Sequence, residues 1–200
     1  MDDDAQLRVE DFDYDLPPGQ IAQRPAPERT QARLLVADQR GGPFEHTRYG
    51  ALCDRVRGDE LFVLNDTRVV PARLQGHKPT GGRVELLIMG PDDAPGLVRA
   101  MGRASKPIRE GARVDVGGHV LTVSEVLGEG VYRVALPEGA TDLWAFCEAH
   151  GQVPLPPYIT REAGPDADDV ARYQTVFAQH PGSVAAPTAG LHFTPELLEA

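Results

Sequence analysis

From residue 69 to residue 136 the chain carries no helical signal. Six short apolar-rich stretches recur there between Gly and Pro turns, at 69–75, 83–89, 97–101, 113–116, 120–127 and 131–136. Val84, Leu86 and Ile88 alternate with other residues and so share one face of a pleat. Tyr132, Val134 and Leu136 do the same, with Arg133 opposed. A backbone that alternates every second residue and turns at short intervals cannot build a helix bundle. It predicts a small antiparallel barrel or sandwich.

The flanks read differently. Leu34-Leu35-Val36-Ala37 predicts a short buried strand, 49–57 a helix ended by Gly58, and Leu61-Phe62-Val63-Leu64 a second apolar strand. Past the β-rich stretch, Thr141-Asp142 cap a helix running to His150 and stopped by Gly151. Pro154-Leu155-Pro156-Pro157-Tyr158-Ile159 is a stiff extended connection. Asp166 or Asp168 caps a helix expected over 168–179. Thr194 and Pro195 open a last helix. The expected class is α/β: a mixed-sheet α/β domain with an inserted small antiparallel β-barrel domain. The divisions are 1–72 for the first part of the α/β domain, 73–153 for the barrel and 154–200 for the α/β continuation.

No apolar run approaches membrane-spanning length, and Met1-Asp2-Asp3-Asp4 is acidic where a signal peptide would be basic, so a cytoplasmic protein is expected. Cys53 and Cys147 lack metal-ligand spacing and read as small buried side chains, and no metal is expected. The net charge of −10 leaves room for nucleic acid only at a local basic patch. Only Lys78 and Lys106 of the twenty basic residues are lysines, a bias that a GC-rich genome also produces. Thr80-Gly81-Gly82 reads as a hairpin turn, with Lys78 and Arg83 beside it as phosphate contacts.

Chemistry concentrates in two places. Arg172-Tyr173-Gln174-Thr175 precedes a Gly/Ala/Pro/Thr loop, 182–190, which ends at Leu191-His192-Phe193. Small residues there leave backbone N–H groups free to face a ligand. On a helix, Val170, Tyr173 and Phe177 form a core stripe, while Arg172, Thr175 and Gln179 form a polar one that is either a solvated face or part of a site. His192, close to a helix N-terminus, is expected to stay neutral and serve as a base, or else to be structural. Asn65-Asp66-Thr67-Arg68, after an apolar strand, is either a strand-end ligand loop or an Asx turn. No Gly-x-Gly-x-x-Gly, Walker A loop or Gly-x-Ser-x-Gly elbow is present, so nicotinamide, P-loop and α/β-hydrolase chemistry has no support.

Together these residues resemble one family. The carriers are Phe12-Asp13-Tyr14-Asp15-Leu16-Pro17-Pro18 with Ile21-Ala22-Gln23; Arg33-Leu34-Leu35-Val36; Gly58-Asp59 with Leu64-Asn65-Asp66-Thr67-Arg68-Val69; and Pro71-Ala72-Arg73-Leu74. Further carriers are Thr80-Gly81-Gly82 with Glu85-Leu86-Leu87; Pro154-Leu155-Pro156-Pro157-Tyr158-Ile159 with Arg161; and the 172–194 segment. The chain resembles the S-adenosylmethionine:tRNA ribosyltransferase-isomerases of queuosine biosynthesis. Ala32 departs from the family's usual serine, and Phe177 from its common tyrosine. The family's chains are longer, so a C-terminal portion is expected to be absent here.

The resemblance implies transfer and isomerisation of the ribosyl group of S-adenosylmethionine onto 7-aminomethyl-7-deazaguanine (preQ1) at the tRNA wobble position. The product is epoxyqueuosine, with adenine and methionine released. It also implies S-adenosylmethionine as co-substrate, preQ1-bearing tRNA as partner, no membrane association and a monomer. On this reading His192, Arg172 and Thr188 are the candidate catalytic residues. Tyr173, Gln174, Thr175, Ser183, Ala189, Gly190, Phe193, Asn65 and Asp66 are the candidate S-adenosylmethionine contacts, and Arg172 or Arg68 would hold a phosphate or the deazaguanine edge. A non-catalytic tRNA-binding module and a protein-interaction domain are the alternatives.

Overall fold

The computed structural model describes residues 7–39, 41–140 and 142–200. In chain order its strands are β1 (Arg33–Val36), β2 (Glu45–Arg48), β3 (Thr67–Val69), β4 (Arg73–His77), β5 (Arg83–Pro91), β6 (Leu97–Ala104), β7 (Arg113–Val116), β8 (His119–Gly128), β9 (Val131–Ala135) and β10 (His180–Ser183). Its α-helices are α1 (Leu143–His150), α2 (Ala167–Arg172) and α3 (Pro195–Glu199).

The alternation read from the sequence becomes a closed antiparallel barrel in the order β4-β5-β6-β9-β8-β7. Leu74, Leu86, Ile88, Leu121 and Val134 point inward and are fully enclosed. Six strands make a narrow interior, and glycine supplies the room at two points. A Cβ on Gly76 would lie 2.5 Å from the Asp115 carbonyl oxygen, and one on Gly102 would lie 2.7 Å from the Tyr132 ring. The 78–82 turn closes β4 to β5 through Lys78 N–H to the Gly82 carbonyl, at 2.8 Å.

Helix α1 covers one end of the barrel. The Asp142 carboxylate accepts from the N–H groups of Trp144 and Ala145, at 2.8 and 3.2 Å, and Phe146 and Cys147 are buried against the barrel core. Burial, with Glu148 adjoining, pushes the Cys147 thiol up to about 12, so it is an inert packing group. Cys53 is half-buried. Thr141 and Met1 to Asp4 lie outside the described residues. After α1 the chain returns to the barrel, where Gln152 and Arg73 pair as an isolated bridge.

Outside the barrel, β1 and β2 pair antiparallel and β3 and β10 pair parallel, as two small sheets. The class is therefore the mixed α/β with an antiparallel barrel that the sequence indicated. A second core of Val69, Val153, Leu155, Tyr173 and Ala186 ties β3, the Pro-rich connection and the segment after α2 together.

The 69–75 stretch divides around Pro71 into β3, which pairs with β10 outside the barrel, and β4, and β1 is half-exposed where a buried strand was expected, with Leu35 52% exposed. Three further expected elements differ. Residues 49–57 form a 3-10 helix, Tyr49–Arg55, since so short a segment containing Gly50 gains too few bonds to sustain an α-helix. Leu61-Phe62-Val63-Leu64 is not a strand. No neighbour among the described residues offers it backbone partners, and Leu61 and Val63 are 89% and 87% exposed. The helix expected over 168–179 is α2 and stops at Arg172. Its early end has a local cause: the Gln174 side chain accepts from the Val69 N–H at 3.0 Å and donates to the Val69 carbonyl at 2.6 Å. That two-point clamp on the β3 end draws the backbone away from the helix axis, so the two polar and apolar stripes do not form. Val170 is exposed instead of packed.

Candidate functional site

The C-terminal turn of α2, the 3-10 helix Thr188–His192, the N-terminal segment 22–32 and the Pro-rich connection 155–159 enclose a cavity of about 380 Å³. That size is in the range of small-ligand sites. Leu155, Ile159, Leu191 and Tyr173 supply apolar wall, while Arg24, Thr188 and His192 supply polar groups.

Arg24 and Arg29, both absent from the sequence-based candidates, line this cavity, and Arg161 supports it from behind through Asp169. Arg29 donates to three carbonyls, those of Leu191 at 2.6 Å, Ala171 at 3.2 Å and Gln174 at 2.9 Å. It thus caps the α2 end and the 188–192 turn with one guanidinium. Arg161 forks onto Asp169, with Nε and Nη2 both at 2.7 Å from the carboxylate. Arg24 adds a contact to Asp169 at 3.3 Å and one to Asp166 at 2.6 Å. Asp169 is almost completely buried, and Arg161 holds it below the usual carboxylate range. Asp166 also caps α2, accepting from the Asp169 N–H at 2.8 Å. No periodicity marks Arg24 or Arg29. They lie in an irregular Pro-rich segment, and their role depends on carboxylates, for Arg24, and carbonyls, for Arg29, more than 140 residues away.

His192 is half-buried at the edge of the cavity, with the Tyr49 ring 4.9 Å away. Its pKa is lowered, first by burial and then by the Arg29 charge, against a hydrogen bond with the Arg29 backbone that raises it. This direction favours the neutral imidazole, through burial and the Arg29 charge.

Of the sequence-based candidates, Arg172, Tyr173, Thr188 and His192 line the cavity together. The Arg172 guanidinium donates to the carbonyls of Pro27 and Ala26, both at 2.6 Å, and so fastens the 22–32 wall. Tyr173 is buried, and its hydroxyl is raised in pKa chiefly by that burial. The other candidates lie outside the lining. Gln174 clamps Val69, as described above. Thr175 is buried with its hydroxyl unpartnered. Gly190 is bare because Phe177 and Thr175 pack where a Cβ would be, at 2.9 and 3.0 Å.

Ala189 offers its carbonyl to the Tyr49 hydroxyl at 3.4 Å. Phe193 is buried edge-on against Tyr49 and Phe177. Ser183 closes a turn on Ala185, and Asn65 accepts from the Thr67 N–H at 2.9 Å, an Asx turn. Asp66 bonds His180 Nδ1 at 2.8 Å. Arg68 pairs with Glu148 at 2.7 Å. Among the described residues, no cluster of three or more His, Cys, Asp or Glu converges on one point, and no helix is long and apolar enough to cross a membrane.

A family model described as queuosine biosynthesis protein matches residues 9–200. An S-adenosylmethionine:tRNA ribosyltransferase-isomerase of Anaeromyxobacter dehalogenans is 50% identical over 195 residues, covering 96% of this chain and 56% of the relative. Those of Magnetococcus marinus and Chlorobium luteolum are 49% and 47% identical, covering 96% of this chain and 52% and 54% of their own length. A solved structure of an S-adenosylmethionine tRNA ribosyltransferase from Thermotoga maritima aligns at 22% identity over 94% of this chain and 52% of its own, with a TM-score of 0.34. The chain spans about half the length of the curated relatives it matches.

Proposed function

We propose, since the chain belongs to the queuosine biosynthesis protein family, that it takes part in transferring and isomerising the ribosyl group of S-adenosylmethionine onto preQ1 in tRNA. Epoxyqueuosine-tRNA forms, and adenine and methionine leave. The observation that supports this most is the convergence of His192, Thr188, Tyr173 and Arg172 on one cavity, although they come from the α2 end and from the 3-10 helix Thr188–His192 on the far side of β10.

In this reading the cavity takes S-adenosylmethionine. Its apolar walls and the Tyr173 ring suit the adenosine and the sulfonium, the latter through a cation–π contact of about 1 kcal/mol. His192, kept neutral, accepts a proton from the carbon beside the sulfonium and returns one to the departing adenine. Thr188, exposed on the cavity rim, orients the ribose hydroxyls. Arg172 acts on the wall more than on the ligand, because both of its donor ends already hold carbonyls. The reaction needs no metal, and the protein is taken as cytoplasmic and monomeric. The barrel, 73–153, is read as an insertion into an α/β domain made of 1–72 and 154–200.

Release of free adenine from S-adenosylmethionine, in the presence of preQ1-bearing tRNA and the full-length protein, tests the reading. Adenine release that requires that tRNA supports it. Retention of the tRNA with no adenine release would leave a binding module instead.

A further inference from the structure

The barrel is electrically polarised along its axis. One end carries Lys78 and Arg83 at the β4–β5 hairpin and Arg103, Lys106, Arg109 and Arg113 at the end of β6, the β6–β7 connection and the start of β7. The carboxylates at the same level are Glu85, Glu110, Asp115 and Glu129, a surplus of two positive charges on a chain of net charge −10. The opposite end carries Asp92, Asp93, Glu138 and Asp142.

The pairing register fixes the basic end as one rim. Arg83 lies across from His77, and Arg103 across from Glu85. The Lys78 ammonium donates to the carbonyls of Lys106 and Pro107, at 3.2 and 3.1 Å, and joins the hairpin to the β6–β7 connection. Ile108, buried beneath them, anchors that connection into the barrel core. Lys78 is therefore a brace. Arg83, Arg103, Lys106, Arg109 and Arg113 are exposed and make no ion pair among the described residues. Arginines of the acidic end are paired: Arg99 and Arg133 both hold Asp92. Five solvated, unpaired cations on a rigid rim match a polyanion.

The rim also connects to the cavity. Arg73, Gln75 and His77 alternate outward along β4, so about 13 Å of strand separates Arg73 from the rim. Arg73 donates to the Leu155 carbonyl in the cavity wall at 3.0 Å. Between them lies a polar cleft of about 420 Å³, lined in part by Arg73, Gln75, Glu85 and Gln152, where the buried Arg73 Nε makes no hydrogen bond and lies 4.0 Å from the Glu85 carboxylate.

We propose that the β4–β5 hairpin and β6–β7 connection form the surface on which the RNA partner lays its phosphate backbone, so that its loop crosses the outer face of β4 and β5 toward the cavity. This rests on the reading of the partner as tRNA. Phosphate contacts of this kind position the RNA without reading its sequence.

The test is the salt dependence of preQ1-tRNA binding by the full-length protein and its Arg83→Gln/Arg103→Gln/Lys106→Gln/Arg109→Gln variant. The variant is expected to bind at least tenfold more weakly at low salt. Its slope of log affinity against log salt is expected to be flatter by about three to three and a half, at about 0.7 to 0.9 for each of the four lost phosphate contacts. Its melting temperature and S-adenosylmethionine binding should be unchanged. An unaltered affinity and slope overturns the rim as the RNA surface while leaving the proposed reaction standing. A wild-type protein that binds no tRNA overturns both. Loss confined to binding of anionic phospholipid vesicles, with tRNA binding intact, assigns the rim to a lipid surface and overturns the proposal.

Discussion

His192 and Arg29 show how little a single residue type says about its own role. The histidine was conspicuous in the sequence, but the group that sets its charge state was not. Burial and the Arg29 charge both lower its pKa, so it stays neutral to more acidic pH than a free imidazole. His192→Ala in the full-length protein is expected to lower turnover by about two to four orders of magnitude with S-adenosylmethionine binding retained. Arg29→Met removes the charge, so the acidic limb of the pH–rate profile should move to higher pH, toward about 6.5. A limb that does not move would show that Arg29 acts only on the three carbonyls it holds. Gln174 makes a similar point for stability. Sequence reasoning placed it in the site, while the structure makes it a clamp on Val69. Gln174→Ala leaves a buried N–H and carbonyl unpaired and should cost about 2 kcal/mol in denaturant unfolding. Unchanged stability, with impaired S-adenosylmethionine binding, would restore the ligand role.

Elements were legible where the pattern is local and strict. The barrel strands could be read because each strand alternates in and out every second residue, and the capping of α1 and α3 because Asp142 and Thr194 announce themselves, while of the two candidates for α2 the cap is Asp166. The helix over 168–179 was misread because its apolar spacing is satisfied by α2 only up to Arg172, and a side chain from outside the helix period decides the rest. Leu61–Leu64 was misread because strand propensity does not supply a neighbour. The 182–190 loop was expected to bare its backbone for a ligand, yet Gly190 serves packing. Gly190→Ala puts a methyl 2.9 Å from Phe177 Cζ and should cost about 1–3 kcal/mol by thermal or denaturant unfolding. A neutral effect would mean that Phe177 swings aside, and the tight loop would not be a structural requirement.

For the molecule as a whole, the two arginine–aspartate groups set its behaviour in acid. Asp166 and Asp169 are held low, chiefly by Arg24 and Arg161 respectively. Asp92 is held at about 2, first by the Ala94 N–H and then by Arg99. A carboxylate whose folded pKa is depressed adds stability above its unfolded value and loses it as pH falls toward the folded one. His192, also depressed, works in the same direction beginning near pH 6.5. The melting temperature is thus expected to be flat above about pH 7, to slip slightly below it and to drop steeply under about pH 4. A midpoint that rises on acidification would contradict the assigned ion pairs. The cavity bounded by α2, residues 188–192, the 22–32 segment and the Pro-rich connection is the proposed place where S-adenosylmethionine loses its adenine. It is tested most directly by measuring free adenine released by the full-length protein with preQ1-tRNA, for the wild type and His192→Ala. Release is expected to depend on the tRNA and to fall at least a hundredfold in the variant while S-adenosylmethionine still binds. Release at the wild-type rate from the variant would contradict it.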